Sequence, residues 1–388
     1  MAGHDRLRDK RTKPTKRWWD RLAAVWVVVG TGAAITHGWL TVLGAAGGIL
    51  FCVVQRRHAP DTARRASKGS TPPWPRPYVV TWHRPLLWLA LAMAVVTVVS
   101  AVGLVVDSRI VTGAPLWAKP LKFAISILVY ALTLSFLLGL VRRARRVAWW
   151  AGTITAAGLL VEMVIIVGAA GAGATSHFNE TTPFHAALWH VMAGSIMVVA
   201  GLALLVAFLL FRADLGDPAR SLAIRAGALI AVAGMGLAYL MTEPTAAQLD
   251  NVVGIVGAHT VGMSDGGPGL PLLGWSTVAG DLRIPHFVGM HALQLIPVTA
   301  LLLELLAPRI RSLAPPAIRF RLVVVVIALY VGVLALLTGQ ALAGQSIVRP
   351  DVRVSSIALL LLAGAVVATA RILRGAARDP RPRSASCT

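Results

Sequence analysis

This chain has little cysteine and little acid. Its 388 residues contain two cysteines, Cys52 and Cys387, far apart and without metal-type spacing, so neither a disulfide nor a cysteine-ligated metal is expected. Charged residues make up only 14% of the chain, whereas 56% is hydrophobic. A soluble domain this apolar could not cover itself with polar surface. The acids number 16 against 37 Lys and Arg, an excess that would suggest nucleic acid in a soluble protein. Here it reads as membrane topology, with basic loops held in the cytoplasm against anionic lipid and no nucleic-acid partner. Catalytic signatures are missing as well: there is no GxxxxGK[ST], no HExxH and no nucleophile elbow.

Long apolar runs are what the chain has instead. Runs of about 20 apolar residues recur along most of its length, each long enough to cross a ~30 Å hydrocarbon core. Residues 1–57 read as a basic arm ending at Trp18-Trp19, followed by a transmembrane hairpin that turns near His37-Gly38. A cleaved signal peptide is less favoured, because no small-residue cleavage site follows the apolar run. Residues 58–77 read as a cytoplasmic linker, 78–374 as an eight-helix membrane core, and 375–388 as a disordered basic tail. The eight spans fall near 86–106, 120–141, 148–168, 186–211, 222–242, 286–306, 322–342 and 355–373.

Crossing parity follows from the basic residues. With both termini in the cytoplasm, 31 of the 37 Lys and Arg lie inside, leaving Arg109, Lys119, Lys122, Arg283, Arg349 and Arg353 outside. Backbone amides within a bilayer must bond internally, so the spans are helices. The expected fold class is all-α: a polytopic protein of the cell's inner membrane with about ten transmembrane helices, a two-helix hairpin plus the eight-helix core.

Polar residues then collect on the outer side. Glu162 lies about two turns below the outer end of the third span, and His190 and His291 lie at similar depth in the fourth and sixth. Gln294 is one turn deeper than His291, and Lys122 stands at the mouth of the second span. A carboxylate facing lipid would cost ~2.5–3.5 kcal/mol, so a shared polar cavity is the cheaper arrangement. Interhelical hydrogen bonding without any ligand is the bland alternative.

Pro183-Phe184-His185 to His190 and Pro285-His286 to His291 both place proline, then His-x4-His, at the outer start of an inward helix. Five residues rotate the chain by about 500°, separating the two imidazoles of a pair by about 140°. Each pair is therefore expected to give one buried histidine, His190 or His291, and one at the rim, His185 or His286. Two buried histidines on different helices suit the axial positions of a b-type haem. Together with Glu162 or His177 they suit a transition metal equally well. Lys119, Lys122 and Arg283 would pair with haem propionates or an anionic ligand, or else snorkel to headgroups. Residues 171–184, with His177, Asn179 and Glu180, and the long loop 243–285, with His259 and Asp265, complete the outer region.

Four segments stand out together: Trp117-Ala-Lys119-Pro120-Leu-Lys122-Phe123, Ser176-His177-Phe178-Asn179, Gly274-Trp275-Ser276-Thr277, and Gly280-Asp281-Leu282-Arg283 through His286, His291 and Gln294. Together they resemble segments of a group of bacterial multipass membrane proteins of unassigned activity. The resemblance covers about residues 80–375, and it implies that these residues form one site.

Three functions stay open at this point. One is a haem- or metal-binding redox or sensor protein with His190 and His291 as ligands. The second is a transporter or channel in which Glu162, His190 and His291 handle protons or a small ligand from the outer side. The third is a metal-dependent intramembrane hydrolase with Glu162 as base.

Overall fold

The computed structural model describes residues 80–111, 113–250 and 254–378. The expected N-terminal hairpin and linker, and most of the tail, lie outside the described residues. Among the described residues, eight helices are long and apolar enough to cross a membrane. They are α1 (Arg84–Val106), α2 (Ala118–Leu140), α3 (Arg145–Gly171), α4 (Pro183–Arg212), α5 (Pro218–Gly236), α6 (Arg283–Leu306), α7 (Pro316–Leu342) and α8 (Val352–Arg378). The chain is an all-α, multi-pass membrane protein.

Most helices begin two to six residues earlier than the apolar runs, because local chemistry sets their first turns. Thr182 Oγ1 accepts from the His185 amide at 3.2 Å, and Asp217 Oδ1 accepts from the Ala219 amide at 2.8 Å. Each cap is followed by a proline, Pro183 or Pro218, where the missing N–H costs nothing. His83 caps α1 through Nδ1 while its Nε2 donates to the Trp149 carbonyl at 2.9 Å, tying α1 to α3.

The helices pack as two groups. Helices α1–α4 share one apolar core with one face of α5, built on Leu86, Met93, Leu128, Met163, Met192 and Leu210. Helices α5, α6 and α7 share a second, of mostly small residues: Ala219, Ala223, Ala292, Ile296, Ala300 and Val323. Small side chains let the backbones of α5 and α6 approach closely. At Gly234 and Gly289 they touch: a Cβ on Gly289 would sit 2.5 Å from the Gly234 Cα. Outward faces of α1 and α8 stay apolar, with Val105, Val106, Leu359, Leu360 and Val366 exposed, as a lipid environment requires.

Ion pairs lock one end of the second group. Arg319, buried on α7, donates to Asp217 Oδ2 at 2.7 Å, and Arg220 on α5 pairs with Glu304 on α6. Loops meet at the other end, called here the site end. Asn179 in the α3–α4 loop bridges to Ile255 in the α5–α6 loop. Two short antiparallel pairs form there: β1 (Ile110–Val111) with β2 (Ala114–Pro115) between α1 and α2, and β3 (Thr260–Val261) with β4 (Gly280–Asp281), which fold the α5–α6 loop back on itself. Gly280 then passes so close to α7 that a Cβ would stand 2.0 Å from the Ala341 carbonyl oxygen.

Candidate functional site

The site end holds a buried carboxylate inside the bundle. Glu162 is 5% exposed on α3, nine residues before the helix ends at Gly171, and its Oε1 lies 3.8 Å from His177 Nε2. The other oxygen, Oε2, is buried with no hydrogen-bond partner among the described residues. Phe123, Phe178 and Trp189 box the His177 ring, with centroids 5.5, 6.1 and 5.7 Å away, and Ser176 Oγ is 3.0 Å from its Nδ1. Burial pushes the His177 pKa well below the ordinary value, and the charges of Lys119 and His259 push the same way. The ring is therefore neutral at pH 7, with one N–H and one lone pair.

Lys119 and Lys122 enter from the first turn of α2. The Lys122 ammonium donates to the Leu273 carbonyl at 2.8 Å. Lys119 interacts electrostatically with Glu162, Lys122 and Arg283, yet among the described residues its ammonium has no hydrogen bond or ion pair. Arg283 is spoken for. Its Nε and Nη2 donate to Asp281 at 2.9 and 2.6 Å, and Nη2 also reaches the Gly274 carbonyl at 2.5 Å. Asp281, 1% exposed, further accepts from the amides of Ser276 and Arg283 at 2.8 and 3.0 Å. Lys122 and Arg283 thus brace the turn at Leu273-Gly274, where Gly274 takes a φ of 67°.

The histidines divide into three kinds. His259, half-buried in the loop, donates from Nδ1 to Asp265 Oδ2 at 2.7 Å. Burial lowers the His259 pKa, Asp265 opposes that, and the Arg283 and Lys119 charges add to it, with a downward net. Burial alone would raise the Asp265 pKa, but the hydrogen bonds from His259 and Thr260 hold it well below the usual range. His286 donates from Nδ1 to the Gly234 carbonyl at 2.7 Å. That carbonyl sits in the last turn of α5, where the helix tightens to 3₁₀ over Leu237–Met241, and the imidazole fills its vacant acceptor position.

His291 is 5% exposed, and Gln294, one turn deeper, is its hydrogen-bonding neighbour; among the described residues neither His291 Nε2 nor Gln294 Oε1 has a further partner. On α4 the order differs from the sequence expectation. His190 is exposed, its Nδ1 donating to the Ala186 carbonyl at 2.7 Å, and His185 sits in the cap with Nδ1 2.9 Å from Thr182 Oγ1. His190 and His291 are therefore not a matched buried pair.

This geometry bears on the expected cofactors. Among the described residues, no group of three His, Cys, Asp or Glu side chains is close enough to hold a metal ion. A haem needs a cleft of some hundreds of Å3. The cavity between α2, α4, α5 and α6 measures ≈ 20 Å3, and the one between β4, α6 and α7 has no room for water. With His190 on an exposed face, the residues present do not fit a bis-histidine haem. What the sequence missed is on α2 itself: Ser126, two turns below Lys119, is another buried hydroxyl without a partner. Comparison with protein-family models, curated proteins and solved structures finds no match to this chain.

Proposed function

We propose that this protein is a carrier or channel of the cell's inner membrane, with both termini cytoplasmic and the site end facing outward. In this reading Glu162 and His177 take up and release protons in step with a small ligand from the outer side. The observation that supports it is Glu162: an ionisable side chain inside apolar helices, one oxygen facing a neutral imidazole and the other unpartnered. Such residues face cavities and mark ion or proton pathways. Lys119 supplies an uncommitted ammonium nearby, which makes an anionic or zwitterionic ligand the better chemical match. Basic residues at the opposite end support orientation and contact with anionic lipid.

The haem- and metal-centred readings receive less support, since His190 is exposed and no three-ligand group forms among the described residues. Proton movement into proteoliposomes loaded with a pH-sensitive dye tests the proposal. Wild type should acidify the lumen under an inward proton gradient, and Glu162→Gln should not. Equal rates in both proteins would overturn it, as would a cytoplasmic reporter that is active when fused near Gly267.

A further inference from the structure

The turn between Leu270 and Trp275 is closed by its own backbone. Leu270 donates its amide to the Trp275 carbonyl and accepts from the Gly274 amide, both at 2.8 Å, while Leu272 and Gly274 take left-handed φ values of 62° and 67°. Gly274 also faces two cations. A Cβ built on it would stand 3.9 Å from Lys122 Nζ and 3.9 Å from Arg283 Nη1, and outside its chain neighbours would meet nothing else within 4 Å. The turn therefore leaves a cradle with room for an atom and a positive nitrogen on either side.

Charge around that cradle is unbalanced. The charges of Lys119, Lys122 and Arg283 act on one another. Asp281 also acts on Lys122, but its oxygens are already taken by Arg283 Nε and Nη2 and by the amides of Ser276 and Arg283. Glu162 acts on Lys119, yet even with both acids ionised the cations are in excess. Bracing the turn accounts for Arg283 Nη2 and for the bond from Lys122 to Leu273. It does not account for Arg283 Nη1, whose two N–H donors have no acceptor among the described residues. The Arg283 side chain is 27% exposed, so a small solute reaches it from solvent.

We propose that Gly274, Arg283 Nη1 and Lys122 form a binding site for a small oxyanion, a carboxylate or a phosphate, with Lys119 adding positive charge from the first turn of α2. The two nitrogens stand at most twice 3.9 Å apart, and an anion with two oxygens, each bonded at ~2.8 Å, spans such a gap. The planar guanidinium suits that pair of oxygens better than a point charge would. As the seat of a carried ligand the site rests on the carrier reading above; as an anion site it stands on the cradle and the unmatched charge. Contacts to partly exposed cations are weak, so the dissociation constant is expected on the order of 1 mM.

Titration calorimetry on the full chain in an uncharged detergent tests this, with inorganic phosphate or acetate exchanged for chloride at constant ionic strength. Wild type should bind each at one saturable site. Gly274→Ala puts a methyl in the cradle and leaves every charge in place, and Lys122→Gln removes one flank; each should weaken binding ~10-fold or more. Thermal unfolding and elution volume show that the variants keep their fold, since Gly274→Ala also strains a left-handed φ. Should it fail to fold, Lys119→Gln decides instead: it removes no hydrogen bond among the described residues, yet should weaken binding several-fold. Absence of saturable binding overturns the site, as does binding that the folded variants leave unchanged. The same titration in nanodiscs separates the sources of the oxyanion. Loss of phosphate binding when phosphatidylglycerol replaces phosphatidylcholine keeps the site but assigns it to lipid headgroups rather than to a carried ligand. Phosphate or acetate binding without wild-type proton movement keeps the site and overturns the carrier reading alone.

Discussion

Glu162 and His177 meet across 3.8 Å although one belongs to a transmembrane helix and the other to the loop that follows it. The loop turns back because Phe178 adopts a left-handed φ of 59°, and Asn179 pins the turn by bonding the Thr175 carbonyl and Thr181. Asn179 also pairs with Ile255, so the imidazole is held by the α5–α6 loop as well as by its own. Replacing Glu162 with Gln keeps the shape but removes the exchangeable proton. We expect proton movement to fall by roughly 100-fold or more, the scale of a lost acid–base group. Glu162→Asp, which keeps the carboxyl but shortens its reach, should retain part of the rate in the same dye assay.

The histidines separate by what they bond. His286→Ala removes the partner of the Gly234 carbonyl at the α5–α6 contact and should cost about 1–2 kcal/mol of stability. His190→Ala loses only a bond to its own helix, so it should leave both thermal unfolding and transport near wild type. A large functional loss in His190→Ala would return that residue to the site.

Close packing of α5 on α6 gives a steric test. A methyl at Gly234 would lie 2.4 Å from the Gly289 carbonyl carbon, which is backbone and cannot swing aside. Gly234→Ala should lower stability by about 1–3 kcal/mol. Gly236→Ala, two residues on, meets nothing within 4 Å and should be close to neutral when unfolding is followed in the same detergent.

The eight spans were legible because each is an apolar run with a basic or proline-marked end. Depth along a helix can be counted from its end: Glu162 and His291 lie nine and eight residues inside the site-end termini of α3 and α6, and both are buried. Rotation about the helix axis was not legible. Helix α4 is apolar on all sides and buries few side chains, among them Met192, Val199 and Val206, so its sequence does not say which face turns inward. That is why His190 is exposed where burial was expected. Arg283 reads from sequence as a free cation, but Asp281 two residues earlier is already its partner.

Asp281 should be the most sensitive residue of the loop. Its carboxylate takes two amides and the Arg283 fork while almost fully buried, so Asp281→Ala leaves the guanidinium and the Ser276 amide without their acceptor. Breaking a buried pair costs about 3–5 kcal/mol, and the lower figure applies because Arg283 is partly exposed. Limited proteolysis should then cut between Pro268 and Asp281, a segment expected to resist cleavage in wild type. Resistance in the variant would show that β3 and β4 hold the loop without the ion pair.

Acid should loosen the fold through three histidines outside the spans, His177 and His259 at the site end and His83 at the opposite end. Burial lowers the pKa of His83, His177 and His259 below the ordinary value of about 6.5. Above that value neither the folded nor the unfolded chain binds these protons, and stability does not respond. Below it the unfolded chain takes them up while the folded chain does not, so stability falls with falling pH until the depressed folded values are reached. The unfolding temperature should therefore be level between pH 7 and 8 and drop progressively from pH 6.5 to 5. His177→Phe keeps a ring against Phe123 and Trp189 but cannot take a proton, so it should flatten part of that slope. An unchanged slope in His177→Phe would assign the acid sensitivity to His83 and His259.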